Sequence, residues 1–283
     1  MARTYRFTIV DVFTDTPLAG NQLAVFSNAT DLSDELMQRL AAEMGFSETT
    51  FVLPPEAGGS FRMRIFTPVC ELPFAGHPTL GTAFAMAGPL QSSLVEIETG
   101  VGIVPVALER EGAKVVFGRM RQPTPTIALF GSATEELLAA LGVTGSVLPV
   151  ELYDNGVPHL FVCLPGFAEV GALAPDMRRL DAVAGDAGVS AFAVEGTRVK
   201  TRMFAPELGV GEDAATGSAA GPLAVHLARH GLVPWGDEIV ISQGAEIGRP
   251  STLYARVEGS ADGVTCVEVG GRAVVVARGE FAV

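Results

Sequence analysis

The chain carries two copies of one local design, and that repetition constrains its fold more than any other feature. In the first copy, Phe66 to Ala83 reads FTPVCELPFAGHPTLGTA. Gly76 closes a turn, His77 is polar, and Pro78 opens an apolar run that ends at Gly88-Pro89. Proline suits the first helical position, and a Gly-Pro pair ends a helix. In the second copy, Phe204 to Ala224 reads FAPELGVGEDAATGSAAGPLA, Gly217 and Ser218 replace Gly76 and His77, and an apolar helix is predicted to about His230. A helix start offers N–H groups without partners and a partial positive charge, and glycine lets an anion approach the backbone. Two such starts predict a small anionic metabolite held in a cleft between the two halves.

The flanking segments repeat as well. YRFTIVDVF (5–13) and NQLAVF (21–26) read as strands. Asp31 or Ser33 is placed to cap a helix on Met37, Leu40, Ala41 and Met44 that Gly45 stops. FSETTFVL (46–53), FRMRIFTP and a meander over 95–120 follow as strands, and RQPTPTIALF reads as a linker. In the second half, VLPVELYDNGVPHLFVCL, APDMRRLDAVAGDAGVSAFAVE and TRMFAPELG run parallel to these segments in the same order, and TLYARVEG with VTCVEVGGRAVVVARGEF supplies the closing meander. An internal duplication explains the pattern. The expected fold is α+β: halves at 1–125 and 126–283, each a barrel-like, mostly antiparallel sheet around one central helix, with the last strand free to return to the first half.

The formal net charge of −13 disfavours nucleic acid and anionic membrane as partners. No stretch approaches the roughly 18 apolar residues of a membrane span, and Asp11 interrupts the N-terminal apolar run, so a cytoplasmic protein is expected. Cys70, Cys163 and Cys266 are too widely spaced for a disulfide framework or a zinc pair. Cys163 and Cys266 are read as small buried hydrophobes, and Cys70 as unreactive. His226 and His230 lie at i and i+4 with no further ligands beside them, so no metal is expected. Neither half has a phosphate-binding loop, and GVG at 209–211 is too short for a dinucleotide site. The two lysines, Lys114 and Lys200, fall in a hairpin and a strand, which argues for chemistry without a cofactor.

One position breaks the duplication. Aligning Gly45-Phe46-Ser47 with Gly188-Val189-Ser190 sets Glu48 against Ala191, so the carboxylate occurs in one copy only. Shielding by Phe46 and Phe51 is expected to raise its pKa toward neutrality, where a carboxyl group can move protons. Asp213 lies in a Gly-rich approach to a helix start, Glu212 is placed to complement the helix dipole, and His77 is expected to face the cleft.

The blocks GNQLAVF, SETTFV, RIFTPVCELPFAGHPTLGTA, RMFAPELGVGEDAATGSAAGPLAVHL and QGAEIGRPS resemble the phenazine-biosynthesis PhzF-like family across nearly the whole chain. The resemblance implies a diaminopimelate-epimerase-like fold, usually a homodimer, and cofactor-independent isomerisation of a dihydro-3-hydroxyanthranilate. It matches the acid/base glutamate to Glu48. It matches the residues that hold and polarise substrate to His77, Asp213 and Ser218, and the backbone anion contacts to Gly76 and Gly217, with Asn21 and Ser47 as further substrate contacts. Ala214 stands where the family usually has proline after Asp213, which touches loop rigidity more than chemistry. Related epimerases place a cysteine at each helix start, where this chain has His77 and Ser218, so amino-acid racemisation is disfavoured. A serine hydrolase using Ser218, His77 and Asp213 lacks a nucleophile elbow. The remaining alternative is a non-enzymatic binding protein on an inherited fold.

Overall fold

The computed structural model describes residues 3–208 and 210–283, so Gly209 of the GVG segment lies outside the described residues. The chain divides into two compact units, Met1–Arg121 with Gly270–Val283, and Gln122–Val269. The division falls at Arg121/Gln122 and not at 125/126, because Gln122 is already tied to the second unit, its backbone N–H donating to the Val267 carbonyl and its side-chain amide to the Gly217 carbonyl.

In the first unit the chain runs β1 (Thr4–Val12), β2 (Asn21–Phe26), α1 (Asp34–Met44), β3 (Glu48–Leu53), β4 (Phe61–Phe66), the short β5 (Glu71–Leu72), α2 (Gly76–Leu90), β6 (Leu94–Thr99), β7 (Gly102–Glu111) and β8 (Lys114–Arg121). The β1–β2 pair is antiparallel, β2–β3 parallel, β3–β4 antiparallel, β4–β6 parallel and β6–β7 antiparallel. Each parallel pair needs a long connection, and helices supply them. Ser33, not Asp31, caps α1 by accepting from the Leu36 N–H, and Gly45 ends it at φ 65°. The buried face of α1, Met37, Leu40 and Ala41, joins Phe26, Phe51 and Phe66 in one cluster.

Helix α2 packs against β1, β2, β3, β6 and β8 and is the unit's central element. Gly81 makes this fit possible, since a Cβ there would stand 2.6 Å from side-chain carbons of Leu23 and Val12. The helix departs from its expected limits at both ends. It begins at Gly76, placing Pro78 third, still within the turn whose N–H groups have no intrahelical acceptor. It then passes through Gly88-Pro89 to Leu90, capped by Gln91 in the left-handed region. Proline near the end removes one backbone hydrogen bond only, and Arg110 donates to the carbonyl oxygens of Ala87 and Ser92 there.

The second unit repeats the plan with additions: β9 (Thr126–Leu129), α3 (Thr134–Leu141), β10 (Glu151–Asp154), β11 (Pro158–Cys163), α4 (Phe167–Gly171), α5 (Met177–Ala184), β12 (Gly188–Glu195), β13 (Arg198–Ala205), β14 (Val210–Asp213), α6 (Gly217–Arg229), β15 (Glu238–Gln243), β16 (Ser251–Ser260) and β17 (Gly263–Gly271). From β10 through β11, β12, β13, β15 and β16 the pairings alternate antiparallel, parallel, antiparallel, parallel, antiparallel, the sequence found in the first unit. β9 pairs with β10. Helix α6 is buried from Gly217 to Ala228 on every face, so it must be the centre of its unit. The last strand, β18 (Ala273–Ala282), pairs with β1 of the first unit. No helix among the described residues is long and apolar enough to cross a membrane.

Candidate active site

In the first unit, Glu48 opens β3, and alternation along the strand sends Glu48 and Thr50 to one face and Phe51 to the other. The Thr50 hydroxyl meets the Thr82 hydroxyl of α2 at 2.8 Å, which marks the first face as the α2 side. Phe51 stacks on Phe26 in the cluster beneath α1, and Phe46 is only half-buried, so the expected shielding of Glu48 by Phe51 does not occur. What faces Glu48 instead is His77, in the first turn of α2, with Nε2 3.4 Å from Glu48 Oε2. Burial pushes the His77 imidazole down to about 3, so the ring is neutral near pH 7 and brings no full positive charge to the carboxyl group.

Asn21, the first residue of β2, places Nδ2 3.2 Å from His77 Nδ1, and Ser47 Oγ donates to Asn21 Oδ1 at 3.1 Å. Asn21 and Ser47 thus form a hydrogen-bonded chain behind the histidine ring and hold it. Parallel pairing of β2 with β3, Leu23 opposite Glu48, is what brings Asn21, Glu48 and α2 together.

In the second unit, Asp213 ends β14 and accepts from the Thr216 hydroxyl at 2.7 Å. Gln243 clasps the same turn, donating to the Asp213 carbonyl and accepting from the Thr216 N–H. Glu212 does not serve the helix dipole: it forms a two-pronged ion pair with Arg202 of β13, whose guanidinium also donates to the Leu173 carbonyl. That pair fastens the strand carrying Asp213.

Ser218 is the second residue of α6, and its hydroxyl lies 3.0 Å from Nε2 of His159 on β11. Pro222, four residues later, has no N–H to give the Ser218 carbonyl, and Asn155 Nδ2 donates to it at 3.0 Å. Gln122 Nε2 donates to the Gly217 carbonyl at 2.8 Å, a reach that only a glycine at 221 permits, since a Cβ there would meet Gln122 Oε1 at 2.3 Å. His159, Asn155, Gln122 and Gln243 escaped sequence reasoning. Pro222 was the available signal, because a proline inside a buried helix leaves a carbonyl that something must satisfy. The partner of Ser218 is His159, whose Nδ1 has no hydrogen-bond partner, so this ring lacks the carboxylate that a hydrolytic triad needs.

His226 and His230 do have a further potential ligand nearby, contrary to expectation. Glu151 of β10 brings its carboxylate within 4.8 Å of both ring nitrogens. Its Oε2 also receives Arg229 Nη1 at 3.0 Å and the Tyr153 hydroxyl at 2.9 Å. A guanidinium therefore already neutralises the carboxylate, and the cluster fastens α6 to β10. Among the described residues the cysteines are free thiols. Cys163 is buried, Cys266 only half-buried, and Cys70 sits in a turn with its sulfur 3.5 Å from Thr67 Oγ1.

The chain matches the family of phenazine biosynthesis-like proteins over residues 10–279. It is 53% identical to trans-2,3-dihydro-3-hydroxyanthranilate isomerase of Pseudomonas aeruginosa, over 97% of this chain and 98% of that protein. The protein of the same name from Pseudomonas chlororaphis is 51% identical over the same shares. The crystal structure of the PhzF-family phenazine biosynthesis protein of Bacillus anthracis is similar throughout, with a TM-score of 0.85 at 27% identity, covering 99% of this chain and 100% of that one.

Proposed function

The chain belongs to the phenazine biosynthesis-like (PhzF) family and is an isomerase, and from that premise we propose that it moves a proton within trans-2,3-dihydro-3-hydroxyanthranilate or a close carboxylate-bearing analogue, without a cofactor. The observation that carries this reading is the Glu48–His77 contact at 3.4 Å beside a neutral imidazole. In the proposed step the Glu48 carboxylate takes a proton from one ring carbon. The electron pair of that C–H bond passes into the conjugated system, and the same carboxyl group returns the proton to another carbon, so the double bonds shift and Glu48 ends as it began. His77, held from behind by Asn21 and Ser47, polarises the substrate. Asp213 and Ser218 orient it, and the N–H groups of Gly76 and Gly217 are offered to its anionic groups. The working form in this reading is a cytoplasmic homodimer, a state that sedimentation equilibrium measures.

The test is Glu48→Gln, which keeps size and hydrogen bonding but exchanges no proton. Turnover of trans-2,3-dihydro-3-hydroxyanthranilate should fall by at least about 10²-fold, the usual worth of a positioned acid/base, while a carboxylate ligand still binds. In D2O the wild type should leave deuterium in the product. Near-normal turnover by the Gln variant would remove Glu48 from the reaction.

A further inference from the structure

His159 is wholly buried, its Nδ1 has no hydrogen-bond partner, and its Nε2 lies 3.0 Å from Ser218 Oγ. From this geometry we infer that His159 is a positioning residue that holds Ser218 as a hydrogen-bond donor toward an anionic oxygen of the substrate. The inference rests on the reading above that Ser218 contacts substrate, and goes beyond it by naming what sets the direction of that hydroxyl.

Burial pushes the imidazole down to about 3, so the ring is neutral and carries one N–H. Were the proton on Nδ1, a buried donor would face no acceptor, and orphaned buried N–H groups are rare because each forfeits its full hydration. With the proton on Nε2, the donor is satisfied by Ser218 Oγ, and only a lone pair on Nδ1 goes unused. The Nε2–H form is therefore favoured. It occupies one lone pair of the serine oxygen and leaves the hydroxyl proton to point elsewhere.

The consequence for ligand binding is one of sign. An ionised carboxylate is acceptor-only. A Ser218 hydroxyl spent on His159 would turn oxygen lone pairs toward such a group and repel it. The same hydroxyl backed by His159 N–H turns a proton toward it and attracts it. The first unit uses a comparable device, since Asn21 at the start of β2 backs His77 in the first turn of α2.

The experiment compares His159→Leu, which removes the donor, with His159→Gln, whose amide N–H can stand near the place of Nε2–H, using trans-2,3-dihydro-3-hydroxyanthranilate as substrate and circular dichroism to confirm folding. The Leu variant should raise KM about tenfold with kcat changed less than about threefold, and the Gln variant should restore KM to within about threefold of wild type. In a Ser218→Ala background the Leu substitution should add nothing, because coupled residues do not act independently. Nitrogen-15 NMR of the wild-type imidazole, which needs no variant to fold, should show the proton on Nε2. A proton on Nδ1, equal defects in the Leu and Gln variants, or independent addition to Ser218→Ala would overturn the role of His159. If Ser218→Ala alone leaves KM unchanged, the reading of Ser218 as a substrate contact fails and takes the inference with it. A raised KM in Ser218→Ala with none in His159→Leu defeats only the inference.

Discussion

The starts of α2 and α6 occupy the same place in a duplicated frame and do different work. At α2 the ring is on the helix, and a carboxyl group, Glu48, comes to it from the neighbouring strand. At α6 the helix carries only a hydroxyl, the ring is on the strand, and the position matching Glu48 is the buried Ala191. The α6 start is also wired from several directions, by Gln243 to Thr216, Gln122 to Gly217 and Asn155 to Ser218. The difference teaches that duplication supplied two helix starts built on one plan. Side-chain exchange at a few positions then gave one a ring facing a carboxyl group and the other a hydroxyl set in a network of hydrogen bonds.

That division can be broken most directly by pairing Glu48→Gln with Asp213→Asn. The first should cost at least about 10² in kcat. The second should act chiefly on KM, about tenfold, because the proposed function gives Asp213 an orienting part and no proton to carry. Equal losses in kcat would erase the distinction between the two starts.

Acid titration tests the comparison through stability. Burial holds His77 and His159 at about 3 and His226 at about 4, against about 6.5 for the free side chain. Between those values the unfolded chain binds protons that the folded chain refuses, so stability falls as pH drops below about 6.5. With all three imidazoles contributing, the slope approaches about 4 kcal/mol per pH unit near pH 5. Two of the three belong to the second unit, so His159→Gln with His226→Gln should remove most of this slope in urea melts between pH 7 and 4.5, and His77→Gln the smaller share.

The wiring of α6 predicts a smaller coupling. Asn155→Leu should destabilise by about 1–3 kcal/mol, leaving the Ser218 carbonyl without its donor. Pro222→Ala restores a helical N–H to that carbonyl, so the Asn155 penalty should shrink by about 1 kcal/mol in the double variant. Additive losses in denaturant melts would show that proline and asparagine are not compensating one another. The smallest effect is expected at Cys70. It lies in the turn at Thr67 and apart from either helix start in sequence, so Cys70→Ala should leave turnover within about twofold of wild type.

Much of this architecture was legible locally. The Ser33 cap and Gly45 stop, the strand at 21–26, the paired helix starts and the lone carboxyl group at 48 are short-range signals, carried by capping chemistry, periodicity and repetition. Other signals misled for equally local reasons. Gly88-Pro89 reads as a stop, yet α2 continues to Leu90, since a proline so near the end costs one backbone hydrogen bond only, and Arg110 adds a donor to the Ala87 carbonyl. RQPTPTIALF reads as a linker, yet Thr126–Leu129 finds β10 as a partner.

By itself, then, the sequence determined the order of elements, their duplication, and which residue types stand at each helix start, because those depend on neighbours a few positions away. Which side chains meet was decided only by the tertiary structure. The separations from Asn21 to His77 and from His159 to Ser218 are 56 and 59 residues, and they close because a parallel strand pair and a buried helix bring the ends together. Strand alternation likewise sent Phe51 away from Glu48 and Thr50 toward α2, a choice of face that no count of flanking residues contains. Burial completed the outcome, for it is the loss of water around His77 and His159 that keeps both rings neutral.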